Sequence, residues 1–185
     1  MSKNEANHTE SRKEDWGTPR DMFDKLDSVF DFKVDLCASK DNTKTQLYIS
    51  EEIDIMSLDA GFSVDAFIGA RDYLWVNPPY KTRGGTGNYV ARAVELAGSR
   101  GLVCLIPASV GSKWWLENVW ANFEAFIFPR RFNFEGAEGS GAMFDCAICI
   151  KWAKVGAYAQ TSHITQKLRQ LRDLELGVIA ERHSW

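Results

Sequence analysis

LWVNPPYK, residues Leu74 to Lys81, changes character halfway along. Leu74, Trp75 and Val76 read as the end of a buried strand, and Asn77, Pro78, Pro79 and Tyr80 stop it. Proline has no N–H to give to a strand ladder, so two in succession end the strand abruptly and stiffen the backbone beyond it. They also leave carbonyls without a local partner, and Asn77 adds a side-chain carbonyl beside them. The expected product is a rigid cluster of acceptors next to an aromatic ring. Such a cluster suits an amino group carried on a flat ring. The Asn77 side-chain oxygen and the Pro78 carbonyl would take the two amine hydrogens and draw the nitrogen lone pair out of conjugation, towards an electrophile. Tyr80 would stack on the ring. No charged base is needed before attack, because the proton can leave after the bond has formed.

Outward from that motif, strands alternate with helices. Upstream, Thr18 is placed to cap a helix with Pro19 at its first position, and Met22, Phe23, Leu26, Val29 and Phe30 come after it at helical spacing. FKVDLCAS then alternates as a short strand ending near Asp35, and QLYIS is a weaker strand. Residues 51–71 are irregular, with room for a short helix. Downstream, KTRGGTG is too glycine-rich for regular structure and reads as a loop, leading into the helix NYVARAVELAGS. GLVCLIP is a continuous apolar run, as a strand covered on both faces would be. SKWWLENVWA reads as a helix whose Trp114 and Trp115 anchor a core face, FEAFIFP as a strand and MFDCAICIKWA as a last long strand. HITQKLRQLRDLELGVI reads as an amphipathic C-terminal helix. This order predicts an α/β fold with a mostly parallel sheet, and the two late strands around a glycine-rich connection predict an antiparallel edge. In such sheets ligands bind beyond the carboxyl ends of the strands, where both Asp35 and Asn77 fall.

The 185 residues fit one domain, taken as residues 15–185. Residues 1–14 are polar and lack periodicity, which predicts a disordered arm without a signal peptide. No apolar run approaches the roughly 20 residues that cross a bilayer. Four cysteines in apolar surroundings predict a reduced, cytoplasmic setting. Cys146 and Cys149 have zinc-like spacing, but on a strand positions three apart face opposite ways, so no metal is expected. A net charge of -3 does not by itself announce a nucleic-acid partner, although a local basic face can serve one.

NPPY after an apolar strand resembles the catalytic motif of amino-group DNA methyltransferases that use S-adenosylmethionine. The upstream block, DWGTPRDMFDKLDSVFDFKVDLCASKDN, is similar to the opening of the small phage-type DNA adenine methyltransferases, the phage Dam-like family. Trp16, Thr18, Pro19, Leu26, Asp27, Phe30, Asp35, Ala38, Ser39 and Asn42 occupy matching positions, and GLVCLIPAS and FIFPRRFNF extend the resemblance to about Trp152. The resemblance implies a Rossmann-like methyltransferase fold and methyl transfer to the exocyclic amine of an adenine flipped out of double-stranded DNA. It implies that Asn77, Pro78, Pro79 and Tyr80 are the catalytic block. Asp35 to Ala38 would form the cofactor loop, Trp16, Thr18 and Pro19 would lie against the methionine end, and Asp54 or Asp59 would hold the ribose hydroxyls or the cofactor's adenine amine. Lys81, Arg83, Arg130 and Arg131 would contact DNA phosphates. The implied setting is the bacterial cytoplasm, with a phage or prophage source. Two departures stand out: LCAS replaces the usual glycine-rich cofactor loop, and Ala60 stands where a tryptophan often comes after the second acidic position. The same acceptors would also suit the amine of cytosine, an RNA base or a glutamine side chain. A non-catalytic DNA- or cofactor-binding module is the alternative of another class, and the intact Asn-Pro-Pro-Tyr speaks against it.

Overall fold

The computed structural model describes residues 16–50, 52–58, 64–66, 68–80, 85–136 and 144–182. The expected arm at 1–14 lies outside them. Among the described residues, seven strands form one sheet: β1 (Phe32–Asp35), β2 (Leu47–Tyr48), β3 (Tyr73–Val76), β4 (Gly101–Pro107), β5 (Ala125–Pro129), β6 (Cys146–Lys151) and β7 (Gly177–Glu181). Their order across the sheet is β2-β1-β3-β4-β6-β5-β7. β2, β1, β3 and β4 run parallel to one another, and β6 runs antiparallel to both β4 and β5. β7 pairs antiparallel with the outer side of β5.

The antiparallel feature is thus larger than an edge. β6 is inserted between β4 and β5, so β5 again points the same way as β4, and β7 adds the true edge strand. The mixed α/β class and the parallel centre match the expectation.

Strand alternation divides the core. Tyr73 and Trp75 of β3 point to one face, with Val103, Leu105, Ile148 and Ile150. That face is covered by helix α1 (Arg20–Phe30), through Met22, Phe23, Leu26, Val29 and Phe30, and by helix α3 (Ala157–Asp173), through Leu168 and Leu171. Leu74 and Val76 point the other way, with Leu102, Cys104 and Ile106, under Val90, Ala93 and Leu96 of helix α2 (Gly85–Ala97). Full burial of side chains of this size contributes about 1.5–3 kcal/mol each. Cys146 and Cys149 fall in the two opposite cores, as the strand period requires.

Four local expectations change. The glycine-rich stretch after Lys81 is not all loop, because Gly85, Thr86 and Gly87 form the first turn of α2. The tryptophan-rich helix is a π-helical segment, Trp115–Trp120, with Trp115 buried and Trp114 packed beside it. The C-terminal helix stops at Asp173, Glu175 takes a left-handed φ of 52°, and Gly177–Glu181 becomes β7. Thr18 does not cap α1. Pro19 holds the cap position without a side-chain cap bond, and the Arg20 N–H donates to Glu135 Oε1 at 2.9 Å.

Candidate active site

The chain leaves β1, adds β2 on one side, then crosses back to lay β3 on the other. This reversal is the topological switch point at which open α/β sheets bind ligands. In register, Asp35 is level with Trp75, and the Leu36 N–H donates to the Trp75 carbonyl at 2.9 Å. Asp35 and Asn77 therefore leave the sheet side by side. Between them lies a cavity of about 220 Å³. Its lining includes Trp16, Thr18, Asp35, Ala38, Lys44, Asp54, Asn77 and Pro79.

The β1 side is built by backbone bonds. The Asp35 carbonyl accepts from the Ile49 N–H at 2.8 Å, and the Ala38 N–H donates to the Ile49 carbonyl at 3.1 Å. The Ser39 N–H donates to Asn42 Oδ1 at 2.7 Å, and the Asn42 N–H donates back to Ser39 Oγ at 3.2 Å. That reciprocal pair shapes the cavity wall without a glycine-rich loop. Asp27 has a comparable duty at the α1–β1 turn, where its Oδ1 accepts from the Phe32 N–H at 2.8 Å.

Asn77 has a determined orientation. Its Nδ2 donates to the Trp16 carbonyl at 3.0 Å. A carbonyl can only accept, so the amide nitrogen must face Trp16 and Oδ1 must point away. Oδ1 is buried and has no hydrogen-bond partner. Buried polar atoms are nearly always paired, and leaving one unpaired costs about 1–3 kcal/mol. The end of β3 therefore carries one unsatisfied acceptor.

The prolines behave differently from each other. Pro79 lines the cavity, but its carbonyl is not free: Thr86 Oγ1 donates to it at 3.1 Å, tying the motif to the first turn of α2. Pro78 is buried. The Tyr80 hydroxyl donates to the Leu105 carbonyl at 3.1 Å, and burial pushes its pKa well above the ordinary value. Its ring meets Phe134 and Phe144 edge-on, with centroids 5.7 and 5.6 Å away. Tyr80 thus borders an aromatic cluster and not the cavity beside Asp35.

A short strap closes the site. Gly17 and Glu135 form an isolated bridge, with the Gly17 N–H donating at 3.0 Å and the Glu135 N–H at 2.9 Å. The Trp16 ring stacks on Phe134 at 5.5 Å and on Phe144 at 6.3 Å. Glu135 Oε1 receives the α1 N-terminal N–H, and Oε2 pairs with Lys44 Nζ. Lys44, Phe134, Glu135 and Phe144 were not among the sequence candidates. Lys44 and Glu135 are 91 positions apart in polar stretches, and neither carries a local signal.

Asp35 is buried, and loss of solvation raises its pKa to about 7, opposed by the Cys37 N–H at 3.1 Å and by the charge of Lys44. Asp54 lines the cavity with a left-handed φ of 42°, and its Oδ1 accepts from the Met56 N–H at 3.0 Å. Pro19 is outside the lining. Arg130 and Arg131 are exposed after the carboxyl end of β5, the same end of the sheet as Asn77, and Arg131 Nε lies 3.5 Å from Asp145. Asp59, Lys81 and Arg83 lie outside the described residues. No helix among the described residues is long and apolar enough to cross a membrane.

A mixed α/β sheet with a cavity at the switch point, and Asn77 and Pro79 of the Asn-Pro-Pro-Tyr motif on its wall, is compatible with a methyltransferase-like fold. The family profile of DNA N-6-adenine-methyltransferases (Dam) matches residues 5–166, and the chain belongs to that family. It is also 28% identical over 113 residues to a DNA N-6-adenine-methyltransferase of Haemophilus phage HP1 (strain HP1c1). That match covers 59% of this chain and 58% of the relative.

Proposed function

We propose that the protein transfers a methyl group from S-adenosylmethionine to the exocyclic amine of adenine in double-stranded DNA. The observation that carries this is the buried, unpartnered Oδ1 of Asn77, aimed by the Trp16 carbonyl at the end of β3. Family membership supplies the reaction class, and the relative's name supplies adenine.

The donor set fits the cofactor. Asp35 and Asp54 offer carboxylates to hydroxyl or amine donors, Lys44 offers a cation, and Leu36, Ile49 and Ile55 offer apolar walls. When bound, S-adenosylmethionine supplies an electrophilic methyl group on a sulfonium. The chain's own residues do the rest. Asn77 Oδ1 accepts one amine hydrogen and the Pro78 carbonyl accepts the other, so the nitrogen lone pair leaves conjugation and faces the donor. Trp16 holds the Asn77 amide from behind and so fixes which of its atoms is the acceptor. The target adenine flips out of the duplex to reach these acceptors, with Tyr80 and its aromatic neighbours as its stacking surface. Arg130 and Arg131 hold phosphates beside that opening.

The test is incorporation of labelled methyl groups into duplex DNA by the purified protein. N6-methyladenine as the labelled nucleoside supports the reading. Label in cytosine, or in RNA alone, redirects it to another amine, and no transfer despite cofactor binding supports a non-catalytic module.

A further inference from the structure

Resting on that reading, we propose that Lys44 is the receptor for the carboxylate at the amino-acid end of the cofactor. Among the described residues lining the cavity, Lys44 is the sole cation, and its side chain is largely buried. Glu135 Oε2 takes one of its donors. An ammonium has three, so two remain for a second carboxylate. Its position identifies the end of the ligand it serves. Through Glu135, Lys44 is linked to the Gly17 bridge and to the first N–H of α1, which places it at the strap that also carries Trp16. The Trp16 carbonyl holds Asn77, the residue that faces the reacting amine. The methionine portion, whose sulfonium must approach that amine, belongs at this end, and the nucleoside belongs towards Asp54. Lys44 is also near enough to Asp35 for its charge to act on that carboxyl. A cation beside a carboxyl group is the complement of an α-amino acid head, with its carboxylate on Lys44 and its ammonium on Asp35.

The experiment removes the charge from each side in turn. Calorimetric titrations use S-adenosylhomocysteine, its decarboxylated analogue and 5′-methylthioadenosine, with the wild-type protein, Lys44→Met and Lys44→Arg. Charge-assisted hydrogen bonds of this kind correspond to about ten- to a hundredfold in affinity. Wild type is expected to lose about that factor when the ligand loses its carboxylate. Lys44→Met is expected to lose a similar factor for S-adenosylhomocysteine and little for the other two ligands, and Lys44→Arg to recover part of it. Equal loss for all three ligands in Lys44→Met would make Lys44 a structural prop and overturn the proposal. So would wild type that binds the decarboxylated analogue as tightly as S-adenosylhomocysteine, a comparison that holds even if Lys44→Met does not fold. Wild type that binds none of the adenosyl ligands overturns the cofactor reading itself, and this proposal with it.

Discussion

Asn77 combines a locked nitrogen with an unsatisfied oxygen, and alanine removes both. Asn77→Ala is expected to lower methyl transfer on the order of a hundredfold or more while leaving cofactor affinity within a few-fold. Turnover near wild type would remove Asn77 from the mechanism. Tyr80 carries a structural bond as well as a ring. Tyr80→Phe keeps the ring but leaves the Leu105 carbonyl without that donor, so about 1 kcal/mol of stability and little activity should be lost. Tyr80→Ala should lose most activity, because stacking is worth about 1–3 kcal/mol per base. Equal activity in the two variants, measured on the same duplex, would take the stacking role away from Tyr80. Asp35 gives a pH dependence. Its folded pKa of about 7 lies above its unfolded value of about 3.9, so the native state holds the proton between them. Below about pH 4 both states are protonated and burial carries no charge penalty. As pH rises to about 7 the penalty accumulates, by up to about 4 kcal/mol, and above that it is constant. Urea denaturation of the unliganded protein at pH 5 and pH 8 should show a drop in stability that Asp35→Asn lacks. Equal drops would place the titration elsewhere.

Elements formed by local pattern were legible in the sequence, and those formed by partners were not. YLWV and GLVCLIP are apolar, β-branched or aromatic, and flanked by turn residues, and they form β3, which ends at Val76 as read from sequence, and β4, with both bounds as read. The cavity residues Asp35 and Asn77, at the ends of β1 and β3, were legible for the same reason, since a strand end in an α/β sheet has a defined neighbourhood. GVIAE was not: as β7 it has little buried surface of its own and exists because β5 offers an unpaired edge. The start of α2 was missed because glycine propensity argues for a loop, whereas the close approach of the π-helical segment demands glycine. A Cβ on Gly87 would lie 2.9 Å from Trp114 Cβ. Gly87→Ala is therefore expected to destabilise the fold by about 1–3 kcal/mol despite alanine's better helix propensity. Chemical denaturation checks the sign, and a stabilised variant would mean that these two helical segments are not held this closely. The Glu135 clasp was invisible because it joins three segments far apart in the chain, and only the folded sheet brings them together.

At the scale of the whole molecule, the net charge is -3, so attraction to a polyanion must come from local cations at one end of the sheet. Arg130 and Arg131 stand at that end. Replacing either with alanine should weaken duplex binding across sequences and reduce the salt slope of the affinity by about 1. An unchanged slope would leave them as solvated charges. The central claim, adenine methylation through the Asn77 acceptor, is tested most directly by nucleoside mass spectrometry of DNA from cells expressing the wild-type chain or Asn77→Ala, in a host lacking adenine methylation of its own. The expected result is N6-methyladenine with the wild type and almost none with the variant at equal soluble protein. No N6-methyladenine from wild type, or equal amounts from both, would contradict it.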